Sequence, residues 1–276
     1  MLDRMTNTPI TVIGGTGKTG RRVVAQLRRA GHEPRAASRS AATRFDWTDR
    51  DTWPAAVEGA GAVYVTPYDP GDGDLLKAFT DVAVHAGVRR LVLLSAREWV
   101  DIHDTAALAR EDAVRDCGAD WTILRPTWFA QNFSEEPFFS DGVRAGELAH
   151  GTGDGRHPFV DVEDIAAVAV AALTGEGHGG RTYDLSGPRA LTVAEALAEI
   201  STAADRPIRP VPLPLQAYRE HLTGLGYPQE AAAGVAGLSA LIRDGDDAYV
   251  SDGVWRALGR PARDFADYVA ATDWTG

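Results

Sequence analysis

Short apolar runs alternate along the chain with longer stretches in which apolar residues recur every three or four positions. The runs are rich in Val, Ile, Leu and Ala and predict five strands, over residues 10–13, 34–38, 62–66, 91–95 and 121–124. Helical spacing follows them, as at Val23, Val24 and Leu27 before Gly31. Strands that alternate with helices in this way are typical of a parallel sheet covered on both faces. We therefore predict an α/β protein with a doubly wound parallel sheet.

The regular alternation ends near residue 128. A glycine-rich stretch over 151–155 predicts a hairpin turn, because no helix follows it directly. A helix over 163–173 and a strand over 182–185 then extend the α/β pattern.

The last third of the chain has a different character. Thr192 and Glu195 have the spacing of a capping box at the start of a helix. The proline-rich stretch 206–216 predicts an extended connection into a mainly helical region. The spacing of four side chains there predicts a core formed by Trp255, Leu258, Phe265 and Tyr268.

The first predicted strand ends in Gly-Gly-Thr-Gly-Lys-Thr-Gly, residues 14–20, immediately before the first predicted helix. In such a turn Gly14, Gly17 and Gly20 allow a tight bend, close approach of the backbone to a pyrophosphate, and close packing of helix against strand. The free N–H groups and the positive end of the helix dipole then bind phosphate. An ordinary glycine-rich turn has the same composition, but the position between a strand and a helix favours a dinucleotide site.

The second predicted strand ends about 20 residues beyond the glycine turn, where dinucleotide-binding folds read the ribose 2′ position. An acidic residue there binds the 2′-hydroxyl of NAD, but this sequence has Ser38, Arg39 and Ser40. A guanidinium matches a 2′-phosphate in charge and in geometry. We therefore predict NADP(H) as cofactor in preference to NAD(H), with a solvated surface role for Arg39 as the alternative.

Composition narrows the classes of partner. The chain of 276 residues has 28 Lys and Arg against 39 Asp and Glu, and its net charge of −11 argues against direct binding of nucleic acid. Its single cysteine, Cys117, cannot form an internal disulfide and is expected to serve in packing. No stretch has the length and hydropathy of a membrane span or a signal core. These features predict a cytoplasmic protein without a nucleic-acid or membrane partner.

Several longer stretches are similar to a known family. The chain contains GGTGKTGRRV, FDW, VYVTP, LVLLSA, ILRPTWFAQNFSE, GTGDGRHPFVDVEDIA and YDLSGPRALT. Together these stretches resemble the NmrA-like branch of the atypical short-chain dehydrogenases/reductases. GGTGKTG, FDW and LRPTWFAQNFSE are most similar to the subgroup that contains the ergot-alkaloid (festuclavine and agroclavine) reductases. The resemblance extends from Ile10 to Tyr268.

The resemblance implies a Rossmann-type doubly wound sheet with a small, mainly helical C-terminal substrate lobe. The implied NAD(P)-binding core covers residues 1–127 and is completed by about 156–190, and the implied lobe covers 128–155 and 191–276. The implied nucleotide contacts are Gly14, Thr16, Gly17, Lys18, Thr19 and Gly20 for the pyrophosphate, Arg39 for the 2′-phosphate, Asp46 for adenine, Thr66 and Pro67 for the riboses, and Pro126 to Phe129 for the nicotinamide side. Ser95 is a further predicted cofactor contact. Asp46 equally fits the cap of a local turn.

Ordinary short-chain dehydrogenases protonate the developing alkoxide with a Tyr-x-x-x-Lys pair that follows a serine. Ser95 stands at the corresponding strand end, but residues 96–120 contain no tyrosine and no lysine. Reduction of a carbonyl by the usual acid is therefore not supported. An iminium carbon becomes a neutral amine on accepting hydride, so positioning and electrostatics suffice for it. A conjugated enone or quinone fits as well if water, His103 or Tyr68 supplies the proton.

The loop after Ser95 contains three further candidates for the reaction. His103 is interpreted either as a general acid or as an exposed loop residue. Glu98 or Asp101 would stabilise an iminium cation by its negative charge. No set of His, Cys, Asp or Glu in the sequence has metal-ligand spacing, so no metal is expected.

Aromatic side chains are the candidate substrate contacts. Trp99, Trp128 and Phe129 are interpreted either as a flat apolar slot for an aromatic substrate or as core. Tyr68 and Asn132 complete the set of predicted substrate-binding residues. The expected partner is thus an apolar or aromatic small molecule.

These features predict an NADP(H)-dependent oxidoreductase of secondary metabolism. It would reduce an iminium or conjugated (enone- or quinone-like) small molecule by direct hydride transfer without a Tyr/Lys dyad. Two alternatives stay open: a non-catalytic NADP(H)-sensing NmrA-like regulator, and a non-redox cyclase or isomerase on the same scaffold. The expected assembly is a monomer or a homodimer.

Overall fold

A computed structural model describes residues 8–67 and 73–274. Within this part of the chain the strands are β1 (Ile10–Ile13), β2 (Arg35–Ser38), β3 (Thr43–Arg44), β4 (Ala62–Val65), β5 (Arg90–Leu94), β6 (Asp120–Pro126), β7 (Glu147–His150), β8 (Arg181–Leu185) and β9 (Arg209–Pro212). The helices are α1 (Gly20–Arg29), α2 (Trp53–Val57), α3 (Gly73–His85), α4 (Glu98–Asp101), α5 (Thr105–Arg115), α6 (Asn132–Glu135), α7 (Pro137–Ala145), α8 (Val162–Thr174), α9 (Val193–Ala203), α10 (Leu215–Gly224), α11 (Gln229–Asp244), α12 (Gly253–Leu258) and α13 (Phe265–Ala271).

The described residues form two compact units. The first extends through Pro126 and takes in Val162–Leu185 and Gly253–Arg260. The second consists of Thr127–Asp161, Ser186–Asp252 and the residues from Pro261 onward. The chain therefore crosses between units several times. The assignment of cofactor to one part and substrate to the other stays a prediction.

The first unit contains a parallel sheet that, among the described residues, has seven strands in the order β3-β2-β1-β4-β5-β6-β8. Successive residues of a strand point to opposite faces. Ile13 and Val65 join a buried cluster with side chains of α2, α3 and α5. Val12 and Tyr64 are equally buried and point to the other face, where α1 packs against α8. The predicted doubly wound α/β sheet is confirmed.

The order of the strands places a ligand edge on this unit. From β1 the chain runs outward to β2 and β3 in one direction and then to β4, β5, β6 and β8 in the other. In such sheets ligands bind outside the carboxyl ends of the strands, at the point where the direction of winding reverses. That edge is where β1, β2, β4, β5 and β6 end.

The second unit is mainly helical and has an aromatic core. The core includes Trp128, Phe133, Phe139, Phe159, Phe265, Tyr268 and Trp274. The capping box of α9 is confirmed: the backbone N–H of Glu195 donates to Thr192 Oγ1 (3.0 Å), and that of Thr192 donates to a carboxylate oxygen of Glu195 (2.9 Å). The predicted extended stretch over 206–216 contains β9 and leads into α10.

Two predictions about local structure are wrong. The glycine-rich stretch 151–155 is not a hairpin, because β7 before it pairs in parallel with the distant β9. Gly155 instead allows close packing, since a Cβ there would lie 2.0 Å from the carbonyl oxygen of Ile242 on α11. Trp255 does not cover a core and is 58% exposed, because α12 buries Gly253 and Val254 instead.

The remaining predicted core positions differ among themselves. Phe265 and Tyr268 are buried as expected, whereas Leu258 is half-buried and belongs to the other unit. Cys117 is half-buried and packs against the core beside α3 and α5, as its expected packing role requires. Among residues 8–67 and 73–274, no helix combines the length and the apolar composition needed to cross a membrane.

Candidate functional site

The glycine turn after β1 is bonded directly to the neighbouring strand. The backbone N–H groups of Gly14 and Gly15 both donate to the carbonyl oxygen of Ala37 on β2, at 2.9 and 3.2 Å. Gly14 has a φ of +76°, which favours glycine. Its missing Cβ would lie 3.0 Å from the side chain of Thr66 at the end of β4. The turn thus lies closely against both neighbours of β1.

Close packing, in addition to backbone freedom, requires glycine at two further positions. A Cβ on Gly20 would lie 2.2 Å from the carbonyl oxygen of Gly14, so the start of α1 touches the turn itself. A Cβ on Gly15 would lie 2.9 Å from the Cα of Ala36. Sequence reasoning missed Gly15, although the spacing Gly15-x-Gly17-x-x-Gly20 also matches the dinucleotide pattern.

The start of α1 fits an anion. Within the described part of the chain no side chain caps this end of the helix, and the first turn contains no acidic residue. Thr16 and Gly17 are exposed beside it and Lys18 is half-buried. The positive end of the helix dipole at a helix start attracts phosphate. The residues therefore fit the pyrophosphate of a dinucleotide.

The end of β2 presents Arg39 to solvent. Beside it, Ser38 Oγ accepts from the backbone N–H of Ala41 at 3.0 Å, and the hydroxyl of Thr16 donates to it at 3.0 Å. This arrangement joins the glycine turn to the loop that follows β2. An exposed guanidinium in this loop fits a 2′-phosphate, and that contact stays a prediction.

Asp46 forms a local turn. Its Oδ1 accepts from the backbone N–H of Thr48 at 3.0 Å and from the Thr48 hydroxyl at 2.8 Å. These hydrogen bonds, with a smaller contribution from the charges of Arg39 and Arg44, hold the pKa of Asp46 below its usual value. The turn-capping interpretation of Asp46 is confirmed, and its contact with adenine stays a prediction.

The loop containing Asp46 is tied to the end of β4. Trp47 Nε1 donates to the carbonyl oxygen of Thr66 at 3.2 Å. Trp47 also packs edge-to-face on Phe45 and Phe79, with ring centroids 5.0 and 5.1 Å apart. Thr66 and Pro67 are half-buried at this edge. Tyr68, a predicted substrate contact, lies outside the described residues.

Ser95 follows β5 and belongs to a buried charged network. Its hydroxyl lies 2.7 Å from Oε1 of Glu111, which is fully buried on α5. Arg125 on β6 donates to both oxygens of Glu111, from Nε at 2.9 Å and from Nη2 at 2.6 Å. Arg115 donates to Oε2 at 2.7 Å. Every one of these contacts lies within the first unit.

The protonation state of Glu111 decides what Ser95 can do. Burial alone would raise the pKa of Glu111, but hydrogen bonds from Arg125 and Ser95, and the charges of Arg125 and Arg115, lower it below its ordinary value. Glu111 is therefore ionised near neutral pH. An ionised carboxylate only accepts hydrogen bonds, so the Ser95 hydroxyl is the donor to it.

Sequence reasoning missed Glu111 because a glutamate in a mixed helix usually faces water. A signal was present: Ala107, Glu111 and Val114 have helical spacing and share the buried face of α5. Glu111 and Arg115 also have the i, i+4 spacing of the Tyr-x-x-x-Lys pair that the sequence lacks. Helix α5 therefore carries a carboxylate and a guanidinium at this spacing, and the carboxylate contacts Ser95.

The candidates in the loop after Ser95 differ in exposure. His103 is exposed, has a φ of 54°, and its Nδ1 lies 2.9 Å from the carbonyl oxygen of Val100. Glu98 is buried on the single turn of α4, and Trp99 and Asp101 are half-buried there. The description of His103 as an exposed residue is confirmed, and the reactive roles of these side chains stay predictions.

The segment Thr127–Asp161, which follows Pro126 directly, belongs to the second unit. The Thr127 hydroxyl donates to the carbonyl oxygen of Pro158 at 2.7 Å. The Trp128 N–H donates to Nε2 of the fully buried His157 at 2.9 Å, and Nδ1 of His157 lies 2.9 Å from Asp247. Trp128 is part of the aromatic core. Its alternative role as a substrate contact stays a prediction.

Phe129 and Asn132 are the other predicted contacts in this stretch. Both are half-buried, and Asn132 begins α6. The nearby Gln131 is buried, and its amide donates to Asp161 at 2.7 Å. Their contact with a substrate also stays a prediction.

Comparison with known proteins also indicates that the chain binds NAD(P)H. A family model described as NAD(P)H-binding matches residues 14–176. An NAD(P)H azoreductase of Xenophilus azovorans is 34% identical over 95% of this chain and 97% of its own length. A (4-alkanoyl-5-oxo-2,5-dihydrofuran-3-yl)methyl phosphate reductase of Streptomyces griseus is 37% identical over 95% and 96%. A festuclavine dehydrogenase of Aspergillus fumigatus is 32% identical over 94% and 96%.

Solved structures share the fold at lower identity. An NADPH-dependent quinone oxidoreductase of Escherichia coli, solved with NADPH, superposes with a TM-score of 0.80 at 21% identity and covers 95% of this chain and 98% of its own. NmrA, a negative transcriptional regulator solved with NAD, superposes with a TM-score of 0.74 at 16% identity over 98% and 100%. Because the family model matches residues 14–176, more than half of the chain, and the relatives align along nearly its full length, this protein belongs to the NAD(P)H-binding family.

Proposed function

We propose that this protein is an NADPH-dependent reductase of an iminium or conjugated small molecule with an apolar or aromatic body, acting in secondary metabolism. Three relatives that align over nearly their full length are named as an azoreductase, a reductase of an oxo-dihydrofuran phosphate and a festuclavine dehydrogenase. The first two names specify an azo group and a conjugated lactone ring. A polarised or conjugated acceptor is therefore a supported substrate class.

The observation that carries the proposal is that, in the described part of the chain, Ser95 donates its hydrogen bond to an ionised glutamate, Glu111. Glu111 is ionised and Arg115 is permanently charged, so neither supplies a proton near neutral pH. The hydrogen of Ser95 is committed to Glu111. NADPH, when bound, supplies a hydride to the acceptor. An iminium accepts it without a proton, and a conjugated acceptor draws its proton from water, His103 or Tyr68.

The preference for NADPH rests on Arg39. A hydrogen-bonded charge pair with the 2′-phosphate is worth about 1.5–3 kcal/mol, or roughly 10- to 150-fold in affinity. We expect Arg39→Ala to weaken NADPH binding by that factor and to leave NADH binding unchanged. Arg28→Ala is the matched control, because Arg28 is an exposed arginine in the last turn of α1. Calorimetric titration with both nucleotides measures the effect, and equal losses for NADPH and NADH would contradict the assignment of Arg39.

Turnover separates the proposal from its alternatives. Oxidation of NADPH is followed by absorbance with iminium ions, enones, quinones and azo compounds, each with product analysis. Turnover with an iminium or conjugated acceptor supports the proposal. Tight NADPH binding without turnover across the panel contradicts it and favours a nucleotide-sensing regulator. Conversion of a compound without NADPH consumption favours a cyclase or isomerase.

A further inference from the structure

We propose that Ser95 binds the nicotinamide riboside half of NADPH as a hydrogen-bond acceptor, and that Glu111 is the positioning residue that keeps it one. Ser95 would accept from an N–H or O–H of that half, either the carboxamide or a ribose hydroxyl. This inference rests on the proposed function, because the donor belongs to NADPH. The buried Glu111 thereby has a role separate from phosphate binding at the glycine turn.

The Ser95 hydroxyl has a single hydrogen. It is directed at Oε1 of Glu111, 2.7 Å away. Oε1 also accepts from Arg125 Nε, and Oε2 accepts from Arg125 Nη2 and Arg115 Nη2. The carboxylate is therefore well supplied with donors and has no hydrogen to give. The Ser95 hydroxyl can therefore bind a ligand only as a hydrogen-bond acceptor, through its lone pairs.

The lone pairs of the Ser95 oxygen lie at the ligand edge of the sheet. Ser95 lies directly beyond the carboxyl end of β5, and its backbone N–H donates to the carbonyl oxygen of Leu124 on β6 at 2.7 Å. The main chain at Ser95 is thus fixed to the neighbouring strand. The side chain is half-buried, at the edge of the sheet where ligands of this fold bind. A fixed acceptor at this edge recognises a donor on the ligand.

Glu111 acts on the ligand through Ser95. Its side chain is completely buried, so it reaches a bound nucleotide only by way of the serine. Arg125 holds it with two parallel hydrogen bonds, the geometry that fixes a carboxylate best. Glutamine in its place presents an amide that can donate as well as accept. The Ser95 hydrogen is then free to turn toward the ligand and oppose a ligand donor.

The test is a calorimetric titration of wild type, Ser95→Ala, Ser95→Thr and Glu111→Gln with a series of ligands. We expect Ser95→Ala and Glu111→Gln each to weaken NADPH binding by about three- to tenfold, the value of one neutral hydrogen bond. Ser95→Thr keeps the hydroxyl and should bind as wild type. The double variant should bind no more weakly than Ser95→Ala alone, because both changes remove one interaction.

The ligand series identifies the donor and excludes a merely structural effect. 2′,5′-ADP lacks the nicotinamide riboside half, so all variants should bind it equally. The 3-acetylpyridine analogue of NADPH has a methyl group in place of the carboxamide nitrogen, and 2′-phospho-ADP-ribose keeps the ribose without the ring. A loss that disappears with the acetylpyridine analogue assigns the carboxamide. A loss that persists with it and with 2′-phospho-ADP-ribose assigns a ribose hydroxyl.

Asp112→Asn is the matched control for the glutamate. Asp112 is adjacent to Glu111 on α5, is 66% exposed and pairs with Arg115. It should leave every titration unchanged. The inference is overturned if Ser95→Ala binds NADPH as wild type does, or if 2′,5′-ADP shows the same loss as NADPH. Either result leaves the proposed reductase intact, whereas a wild-type protein that binds no NADPH overturns both. Because Ser95→Ala removes no charge, it keeps the test decisive even where Glu111→Gln fails to fold.

Discussion

Replacing Gly20 by alanine tests whether contact between α1 and the glycine turn builds the nucleotide cradle. The new Cβ would lie 2.2 Å from the carbonyl oxygen of Gly14 and 2.8 Å from its carbonyl carbon. Close carbon–oxygen contacts lie near 3.3 Å, so the helix and the turn must separate by roughly 1 Å. Neither atom belongs to a side chain that could rotate away, and the turn is held by the bonds of Gly14 and Gly15 to Ala37. We therefore expect a loss of about 3 kcal/mol, the upper end of the range for overpacking.

Two measurements follow from that figure. At about 2–4 °C per kcal/mol for a domain of 150–250 residues, the Tm should fall by roughly 6–12 °C. NADPH binding should weaken at least about tenfold, because the phosphate loses aligned backbone donors worth about 1.5–3 kcal/mol. Thermal unfolding monitored by circular dichroism gives the first quantity, and calorimetric titration gives the second.

Gly234→Ala is the matched control. Gly234 lies inside α11, and in the described part of the chain no atom outside its own helix lies within 4 Å of where its Cβ would be. Alanine there should raise stability by about 0.5–1 kcal/mol through helix propensity alone. The reasoning is refuted if Gly20→Ala and Gly234→Ala shift the Tm in the same direction. Unchanged NADPH affinity in Gly20→Ala would equally show that close packing at the turn does not form the phosphate site.

Two further predictions concern stability in the second unit. Burial lowers the pKa of His150 to about 4. Between about pH 6.5 and 4 the unfolded chain therefore binds a proton that the native state does not. The free energy of unfolding should decrease as the pH is lowered through this range, by about 2 kcal/mol at pH 5. Urea unfolding at pH 7.5 and 5 should show that loss in wild type and a smaller one in His150→Gln, and equal losses would contradict it. Thr192→Ala removes the side-chain cap of α9 and should destabilise by about 1 kcal/mol. Thr202 is an exposed threonine in the same helix, so Thr202→Ala should change stability by less than about 0.5 kcal/mol. Similar losses for Thr192→Ala and Thr202→Ala would contradict the capping role of Thr192.

The sheet could be predicted because its signal is local. A buried parallel strand needs apolar side chains on both faces, so it appears in the sequence as an uninterrupted apolar run. The predicted strand over 10–13 agrees with β1, and that over 62–66 differs from β4 by one residue at its end. The capping box of α9 is equally local, since both of its hydrogen bonds join Thr192 and Glu195.

The errors arose where distant segments meet. The stretch 151–155 has the composition of a hairpin turn, but the partner of β7 is β9, about sixty residues further along, and no local pattern specifies that pairing. Gly155 is needed there because α11 approaches it, which is again a property of the folded chain. Trp255 has helical spacing suited to burial, yet α12 is short and uses Gly253 and Val254 for its contacts.

The candidate site also contains residues that local spacing predicts and residues that depend on distant segments. Gly14, Gly17 and Gly20 could be read from spacing, because one turn and one helix define their roles. The role of Glu111 could not be predicted from spacing, because it depends on contacts with Ser95, which follows β5, and with Arg125 on β6. The sequence showed only that a tyrosine and a lysine are absent from residues 96–120. The structure shows that Ser95 contacts Glu111 on the helix that follows it.

The contact between Ser95 and Glu111 decides what these side chains can do chemically. A phenol beside an ammonium can release a proton to a developing alkoxide, whereas an ionised carboxylate held by two guanidiniums cannot. Glu111 instead fixes the direction of a hydroxyl and removes its hydrogen from the ligand side. Ser95, Glu111 and Arg115 can therefore position a ligand but do not protonate it. An acceptor that becomes neutral on taking a hydride benefits from positioning and needs no proton. This is the physical reason for favouring an iminium over a simple ketone.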